Sequence, residues 1–557
     1  MSTEEEEYNA RVKKRVLILK QMLEDGSIKI PKGTQIEQSL ANARFDSNGE
    51  PDLSTIDGVI RSMALLAENL QYRKDVKNEI SLIEIQSKYF EILETNFGFF
   101  YDRMIKDDVN PEIVARTIAY GQQDITPLDN TINVLLEILI EFWSALAEPA
   151  FFHLEDEHDT IKAIFGGDMF PSYAENVASK CGIYTDTIIL PCPFIRCRYL
   201  FERWDKQQRV YYLLKHVLNV LQYKSLALAN LDVPIVVVLP EKEMIEVDDF
   251  KRVQELGGDD ALYHAEKLFG RKFDSLEELF DFAGSLNTVE KVVKEIKDPS
   301  KVLFDTEMEG TISKQIEEQV NGMSSQLLGV KNPGVIVASL GLGRMGTCNE
   351  LLIKANRLRG IPLIDAPTSW EYFKWKLEYD AERKYDGQDI TGLHIVKGLN
   401  HLADTEFRWI GKIPPEGLIE LRKTGALNEI RSILSKGIKD LASEEENDFV
   451  STSHKVFNNI NRAFIDHEKS IKELQNKKWK VAGKDLSSFL VIGSIELAAA
   501  CLGQPLWGAG AFAVDQITDA PKVKDLPKTI KKIKDIKEEQ EIIKKSPVGL
   551  MFKYKNT

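Results

Sequence analysis

The chain reads as mainly α with a small central α/β portion, α+β overall, with a multi-helix N-terminal domain and C-terminal helices that lead into a small-residue hydrophobic hairpin. Three observations predict this. Apolar residues recur at helical spacing through the first 150 positions. β-branched runs bounded by Pro or Gly appear in the middle of the chain. From Leu486 to Val514 the only charged residue is Glu496.

Each element follows from local chemistry. Val12, Val16, Leu19 and Leu23 repeat at helical spacing, and Gly26 is placed to stop that helix. Ser54 with Asp57 resembles a capping box ahead of an apolar-periodic run to about Tyr72. Asn110-Pro111 and Thr126-Pro127 pair a cap with a first-turn proline. The helix after Pro127 carries Ile132, Val134, Leu135, Leu136, Ile138, Leu139, Ile140, Phe142 and Trp143. Apolar nearly all round, it is expected to be a central buried helix. Five runs look like strands: Ile183–Leu190, Ile235–Leu239, Val335–Leu340, Ile361–Ile364 and Leu393–Lys397. Gly257-Gly-Asp-Asp260 reads as a loop. After Pro414-Pro415 a helical stripe returns through Leu427, Ile430, Leu434, Ile438 and Leu441. The expected organisation is a helical domain over 1–150, mixed α/β and then acidic helices over 151–330, and a small α/β unit over 331–412. Helices follow over 413–485, then the hairpin and a basic amphipathic tail over 486–557.

Composition sets the compartment and the partners. The chain has 557 residues, 43% of them hydrophobic and 29% charged, which is ordinary globular composition. Net charge is −15. That disfavours nucleic-acid binding by the main body, because counterion release needs clustered Lys and Arg. Lys522–Thr557 holds eleven Lys against five acids, a local +6, so residues 1–521 carry −21. Five cysteines, Cys181, Cys192, Cys197, Cys348 and Cys501, include no CxxC and read as reduced thiols. With no basic-then-apolar leader at the start, the expectation is a cytoplasmic protein, peripheral to the membrane if its tail engages lipid.

The best local match to a ligand motif is Gly341-Leu-Gly-Arg-Met-Gly346. A strand-like run precedes it, a helix-compatible run follows, and Asp365 lies 19 residues past Gly346. In a dinucleotide site Gly341 would permit the tight turn, and Gly343 would let a pyrophosphate approach the backbone. Gly346 would let helix and strand pack closely, and Asp365 would bind a ribose hydroxyl. NAD(P) or ATP would be the cofactor on that reading. The competing expectation is a plain structural turn.

Other constellations exclude chemistry. His153 and His158 lie in His-Leu-Glu-Asp-Glu-His, not HExxH, and no metal site is expected. GxSxG and GxxxxGK[ST] are absent. Ser369–Tyr379 holds five aromatics, expected as a helix buried on two faces rather than a base-stacking platform. The stretch Leu486–Val514, rich in Gly and Ala and broken at Gln504-Pro505, suits a tight internal hairpin; insertion in a bilayer is the alternative. The lysine-rich stripe with Leu526, Ile530, Ile533 and Ile536 suits an acidic surface or a membrane interface. Function is thus expected to be an interaction or effector role through helical surfaces, with a protein partner or a second copy. Membrane contact would run through 486–545, and the physical character is toxin- or defence-like. The alternative is a nucleotide- or dinucleotide-binding enzyme built on Gly341–Gly346.

Overall fold

The computed structural model describes residues 3–121, 124–167, 170, 173, 176–241, 247–383, 407–434, 453–477 and 480–493. They form a mainly helical protein with a four-stranded parallel sheet. The chain divides into two compact units. One holds residues 3–85 and 148–153; the other holds 86–147 and the described residues from 154 onward.

In the first unit, α1 (Thr3–Glu24) and α2 (Gly58–Glu79) share one core. Val12, Val16, Leu19 and Met22 meet Ile60, Ala64 and Ala67, whose small side chains let the helix backbones approach. Gly26 adopts φ +75° just past α1, the left-handed turn glycine makes without strain. Asp57, rather than Ser54, caps α2 by accepting the Ile60 N–H at 2.9 Å. Arg15 and Glu68 pair at 2.6 Å with little exposure.

The second unit begins within α3 (Leu82–Asp107) and continues through α4 (Pro111–Ala119) and α5 (Thr126–Asp156), of which residues 148–153 belong to the first unit. Asn110 caps α4 through the Ile113 N–H, as its Asn-Pro pair implies. The second half of α5 is buried, with Trp143 at 0% exposure and ring centroids 5.3 Å from Tyr89. Its first half is buried on one face only: Ile132, Leu135 and Leu139 are inside, while Val134 is 56% and Ile138 44% exposed. The expectation of a helix buried all round therefore holds for only part of its length.

The sheet is made of β1 (Lys162–Phe165), β2 (Thr187–Pro191), β3 (Val236–Leu239) and β4 (Ile361–Leu363), in the order β3-β2-β1-β4. All pairings are parallel, with Ala163 opposite Ile188 and Ile361, and Ile189 opposite Val237. β1, β2 and β3 are buried at every position, which explains runs without polar alternation. Pro362 is tolerated because β4 is an edge strand. The other edge is covered by a side chain. Gln86 donates to the Val238 carbonyl at 2.9 Å and accepts the Val238 N–H at 2.8 Å, so β3 offers no free pairing position there.

Short helices α6 (Val177–Cys181) and α7 (Pro193–Arg196) follow β1 and β2 in the chain, and α8 (Lys206–Leu221) leads toward β3. Between β3 and β4 come α9 (Val247–Phe269), α10 (Leu276–Ser285) and α11 (Pro333–Leu358). Two expectations fail here. Gly257–Asp260 is inside α9, not a loop. Val335–Leu340 is the first part of α11, not a strand. Asn332 accepts the Val335 N–H at 3.1 Å and Pro333 sits in the first turn, so a capped helix start overrides the β-branched run. Val337 and Ala338 then join Phe269, Phe273, Leu279 and Ala283 in a helical core.

Beyond β4 lie α12 (Pro367–Arg383), β5 (Phe407–Ile410), α13 (Pro415–Lys423), α14 (Ala426–Leu434) and α15 (Ser453–Asn476). A tight hairpin, β6 (Lys480–Val481) and β7 (Lys484–Asp485), turns on Ala482 and Gly483, both at positive φ. β8 (Leu490–Gly493) pairs antiparallel with β5. The stretch expected to open a helical hairpin at Leu486 therefore begins as a 3₁₀ turn and a strand. The remainder of that stretch, the basic tail, the stripe positions Ile438 and Leu441 and the strand expected over Leu393–Lys397 lie outside the described residues. Among the described residues, no helix is long and apolar enough to cross a membrane.

Candidate functional site

The strands point their carboxyl ends to one edge, and the residues that follow them define it. β1 runs into Gly166-Gly167, β2 into Cys192 and α7, β3 into Pro240-Glu241, and β4 into Ile364-Asp365. Chain order reverses between β1 and β4. In open parallel sheets that reversal leaves a crevice outside the carboxyl ends, where ligands bind.

Gly166 and Gly167 are required by packing. A Cβ on Gly166 would lie 2.7 Å from Leu351 Cδ1 of α11. Gly167 has φ +81°, and a Cβ there would be 3.2 Å from Ser369 Cβ of α12. Ser369 donates to the Gly167 carbonyl at 2.6 Å and accepts from Arg344 at 3.0 Å. The Gly166 N–H continues the ladder to the Leu363 carbonyl. This turn is closed over by two helices.

Beside it converge four charged side chains. Arg196, the last residue of α7, places NH1 3.0 Å from Glu241 Oε1 and 3.0 Å from Glu350 Oε1. Lys354 donates to the Leu239 carbonyl at 3.2 Å and lies 3.5 Å from Glu241 Oε1. Glu350 and Lys354 are one turn apart on α11 and so share a face. Glu241 is 1% exposed and Lys354 3%. Among the described residues, the second carboxylate oxygen of Glu241 is buried without a hydrogen-bond partner. These groups line a crevice with Gly166, Gly167, Thr347 and Leu351, which has room for little more than a water molecule. Formal charges in the quartet cancel. Burying two ion pairs adds little stability over a well-packed apolar cluster.

Asp365 also reaches this edge. It accepts from Lys180 of α6 at 2.9 Å, with both side chains largely buried. Lys180, Asn176, Ser179 and Lys412 border a second, more open cleft. The three glycines of the motif do not accompany Asp365. Gly341, Gly343 and Gly346 lie within α11, where backbone N–H groups close the helical ladder and cannot cradle a phosphate. Gly341 sits against the His264 ring, and Gly346 gives its bare backbone to α9, where a Cβ on Gly257 would be 3.0 Å from Gly346 Cα. The motif is a helix crossing, not a strand-to-helix turn.

Other polar clusters hold the fold. Asp260 of α9 is fully buried and receives Asn349 at 2.6 Å, Lys376 at 2.8 Å and Arg383. That binds α9, α11 and α12 together. Asp186 precedes β2 at the amino edge, opposite Glu241, and receives Arg422 and Arg431. Burial alone would raise its carboxyl, but the two guanidinium groups outweigh this and hold it below the ordinary value. Burial and the neighbouring Arg431 bring Arg422 down to about 10. Cys181, Cys192, Cys197 and Cys348 are buried cysteines not joined in disulfides. His153 contacts the Ile80 carbonyl, and no metal-holding group of His, Cys, Asp and Glu occurs among the described residues. Trp370, Tyr372, Phe373 and Tyr379 of α12 are buried, as are Lys374 and Lys376, so this face is packed inside the protein.

Glu241 stands two residues past the Ile235–Leu239 run. Arg196 carried no spacing signal toward Glu350 and Lys354, because α7 and α11, far apart in the chain, bring them together. The one available sign, the Gly166-Gly167 pair, follows a strand too short to stand out. No family model matches the chain, and neither a curated protein nor a solved structure matches it.

Proposed function

We propose that this protein binds a small anionic ligand of the nucleotide class at the carboxyl edge of its parallel sheet. The observation that carries the reading is the convergence of Arg196 and Lys354, two buried cations, at the carboxyl ends of β2 and β3, in a crevice that also takes in the Gly166-Gly167 turn after β1. A guanidinium and an ammonium suit phosphate oxygens, the first by its planar fork and the second as a point charge. The nucleotide reading attached to Gly341–Gly346 thus moves to a different place in the fold, and ATP and NAD(P) remain its test ligands.

Titration calorimetry and thermal shift with ADP, ATP and NAD(P) test it. Wild type is expected to bind at least one of them. Arg196→Gln and Lys354→Met should each weaken that binding at least about tenfold, the worth of one charge-assisted contact. Gly343→Ala, in the α11 interior, should leave it unchanged. No binding by folded wild type, or equal binding by both cation variants, would sink the reading.

A second reading, contact with another protein, is favoured by apolar side chains left in solvent. Phe99 is 71% exposed, Ile105 57% and Val134 56%. If they form a self-association surface, Val134→Glu with Ile138→Glu should lower the sedimentation coefficient of the wild-type species; no change would remove that role.

A further inference from the structure

We infer that Glu241 is an internal placeholder in this site: its carboxylate occupies the place of a ligand phosphate between Arg196 and Lys354 and must leave before the ligand binds. The inference rests on the binding reading above and adds how the site is kept closed.

Three observations carry it. Glu241 Oε1 alone takes both cations, Arg196 at 3.0 Å and Lys354 at 3.5 Å. Its other oxygen is buried with no partner among the described residues, so the carboxylate bears a standing penalty that a better-matched anion would not. A phosphate brings three oxygens to the same donors. The crevice around the carboxylate has room for little more than a water molecule, so a ligand cannot enter beside Glu241 but only in its stead. The two acids of the quartet are not equivalent. Glu350 is fixed on α11, whereas Glu241 stands beyond the end of β3, past Pro240, outside any helix or strand. Its side chain is the one whose withdrawal opens the crevice, takes the carboxylate from Lys354 and leaves Arg196 with Glu350.

A protein that must displace its own carboxylate shows a weakened apparent affinity, because only the fraction with Glu241 withdrawn is competent. Removing the placeholder's charge removes that handicap. The sign is therefore opposite to that of a carboxylate that contacts the ligand.

Pyrophosphate serves as the probe, measured by calorimetry and thermal shift on the full chain. Glu241→Gln should tighten pyrophosphate binding at least about tenfold over wild type. Its melting temperature without ligand should fall, and the rise on adding pyrophosphate should exceed that of wild type. Glu241→Asp keeps the charge but pulls it back by one methylene, and should tighten binding by less. It keeps the test open if the Gln variant folds poorly. Glu350→Gln controls for net charge. Weaker or equal binding by both Glu241 variants, while wild type binds, overturns the placeholder and leaves the binding reading standing. Equal tightening by Glu350→Gln also overturns it, since charge alone would then account for the effect. If neither wild type nor Glu241→Gln binds, both readings fall together.

Discussion

At the scale of single residues, glycines separate a conformational need from a packing need. Gly343 and Gly346 are helical, and a Cβ on either would meet nothing within 4 Å. Alanine at each should stabilise the protein by about 0.5–1 kcal/mol, because helical glycine loses more backbone entropy on folding. Gly334, in the first turn of the same helix, is the opposite case: its Cβ would lie 2.2 Å from the Ala283 carbonyl oxygen. Gly334→Ala should destabilise by roughly 1–3 kcal/mol, the usual cost of overpacking. Urea denaturation midpoints decide the matter, and a loss of stability in Gly343→Ala would contradict the helical assignment. The sequence misled here for a physical reason. Val335-Ile-Val is β-branched and too short for its period to show, so strand and helix could not be told apart. Asn332-Pro333, the helix-start signal just ahead of it, outweighed that composition.

At the scale of elements, Lys162 shows how the sheet is tied to the helices around it. It opens β1, is 1% exposed, and donates to the Glu157 carbonyl past α5 and the Leu358 carbonyl at the end of α11, 2.5 and 3.2 Å away. One ammonium thus satisfies carbonyls at two helix C-termini, where positive charge is favoured. Burial lowers its pKa. Lys162→Met should cost about 1–3 kcal/mol, since both carbonyls lose a charged donor. A chemical melt with an unchanged midpoint would show that water replaces the ammonium freely. Such a lysine also hid β1 from the sequence. A strand of four residues beginning with a charge, Lys162-Ala-Ile-Phe165, offers neither alternation nor a long apolar run. β2 and β3 were legible because Thr187–Pro191 and Val236–Leu239 sit in longer β-branched runs. The capped start of α4 was legible because Asn110 acts within three residues, whereas α2 starts three residues later than a box opened by Ser54 implies, at Asp57.

At the scale of the molecule, acid stability should be set in part by three buried histidines. Burial takes His264 down to about 4, with the nearby Lys301 adding to it. Burial and Lys215 take His216 down to about 3, and burial takes His467 down to about 4. Each ring contacts a tyrosine hydroxyl: Tyr379 at 2.9 Å, Tyr173 at 2.7 Å and Tyr184 at 3.5 Å. These rings stay neutral in the fold below pH 6.5, where the unfolded chain takes up protons. Their contribution is complete above about pH 6.5 and is lost as pH falls toward 4, by about 1.4 kcal/mol per pH unit for each ring. Melting temperature should therefore drop steeply between pH 6.5 and 4.5, and His264→Gln should flatten the slope. An equally steep fall in that variant would assign the effect to other groups. None of this was readable from eight scattered histidines, because burial is a property of the assembled fold. The charged crevice was hidden for the same reason: Arg196 and Glu350 are 154 positions apart, and Glu241 and Lys354 are 113 apart.

The strand order also has a consequence in time. β1, β2 and β3 are neighbours in sequence, but β4, which covers the second edge of β1, begins about 200 residues after β1 ends. At ribosomal speeds of roughly 5–20 residues per second, that gap is about 10–40 s. During it, a nascent chain can assemble three strands with Gln86 already guarding β3, while β1 offers a bare apolar edge to any other strand. Aggregation during synthesis is then a hazard of this architecture, and slower translation between residues 166 and 360 would lengthen the exposure.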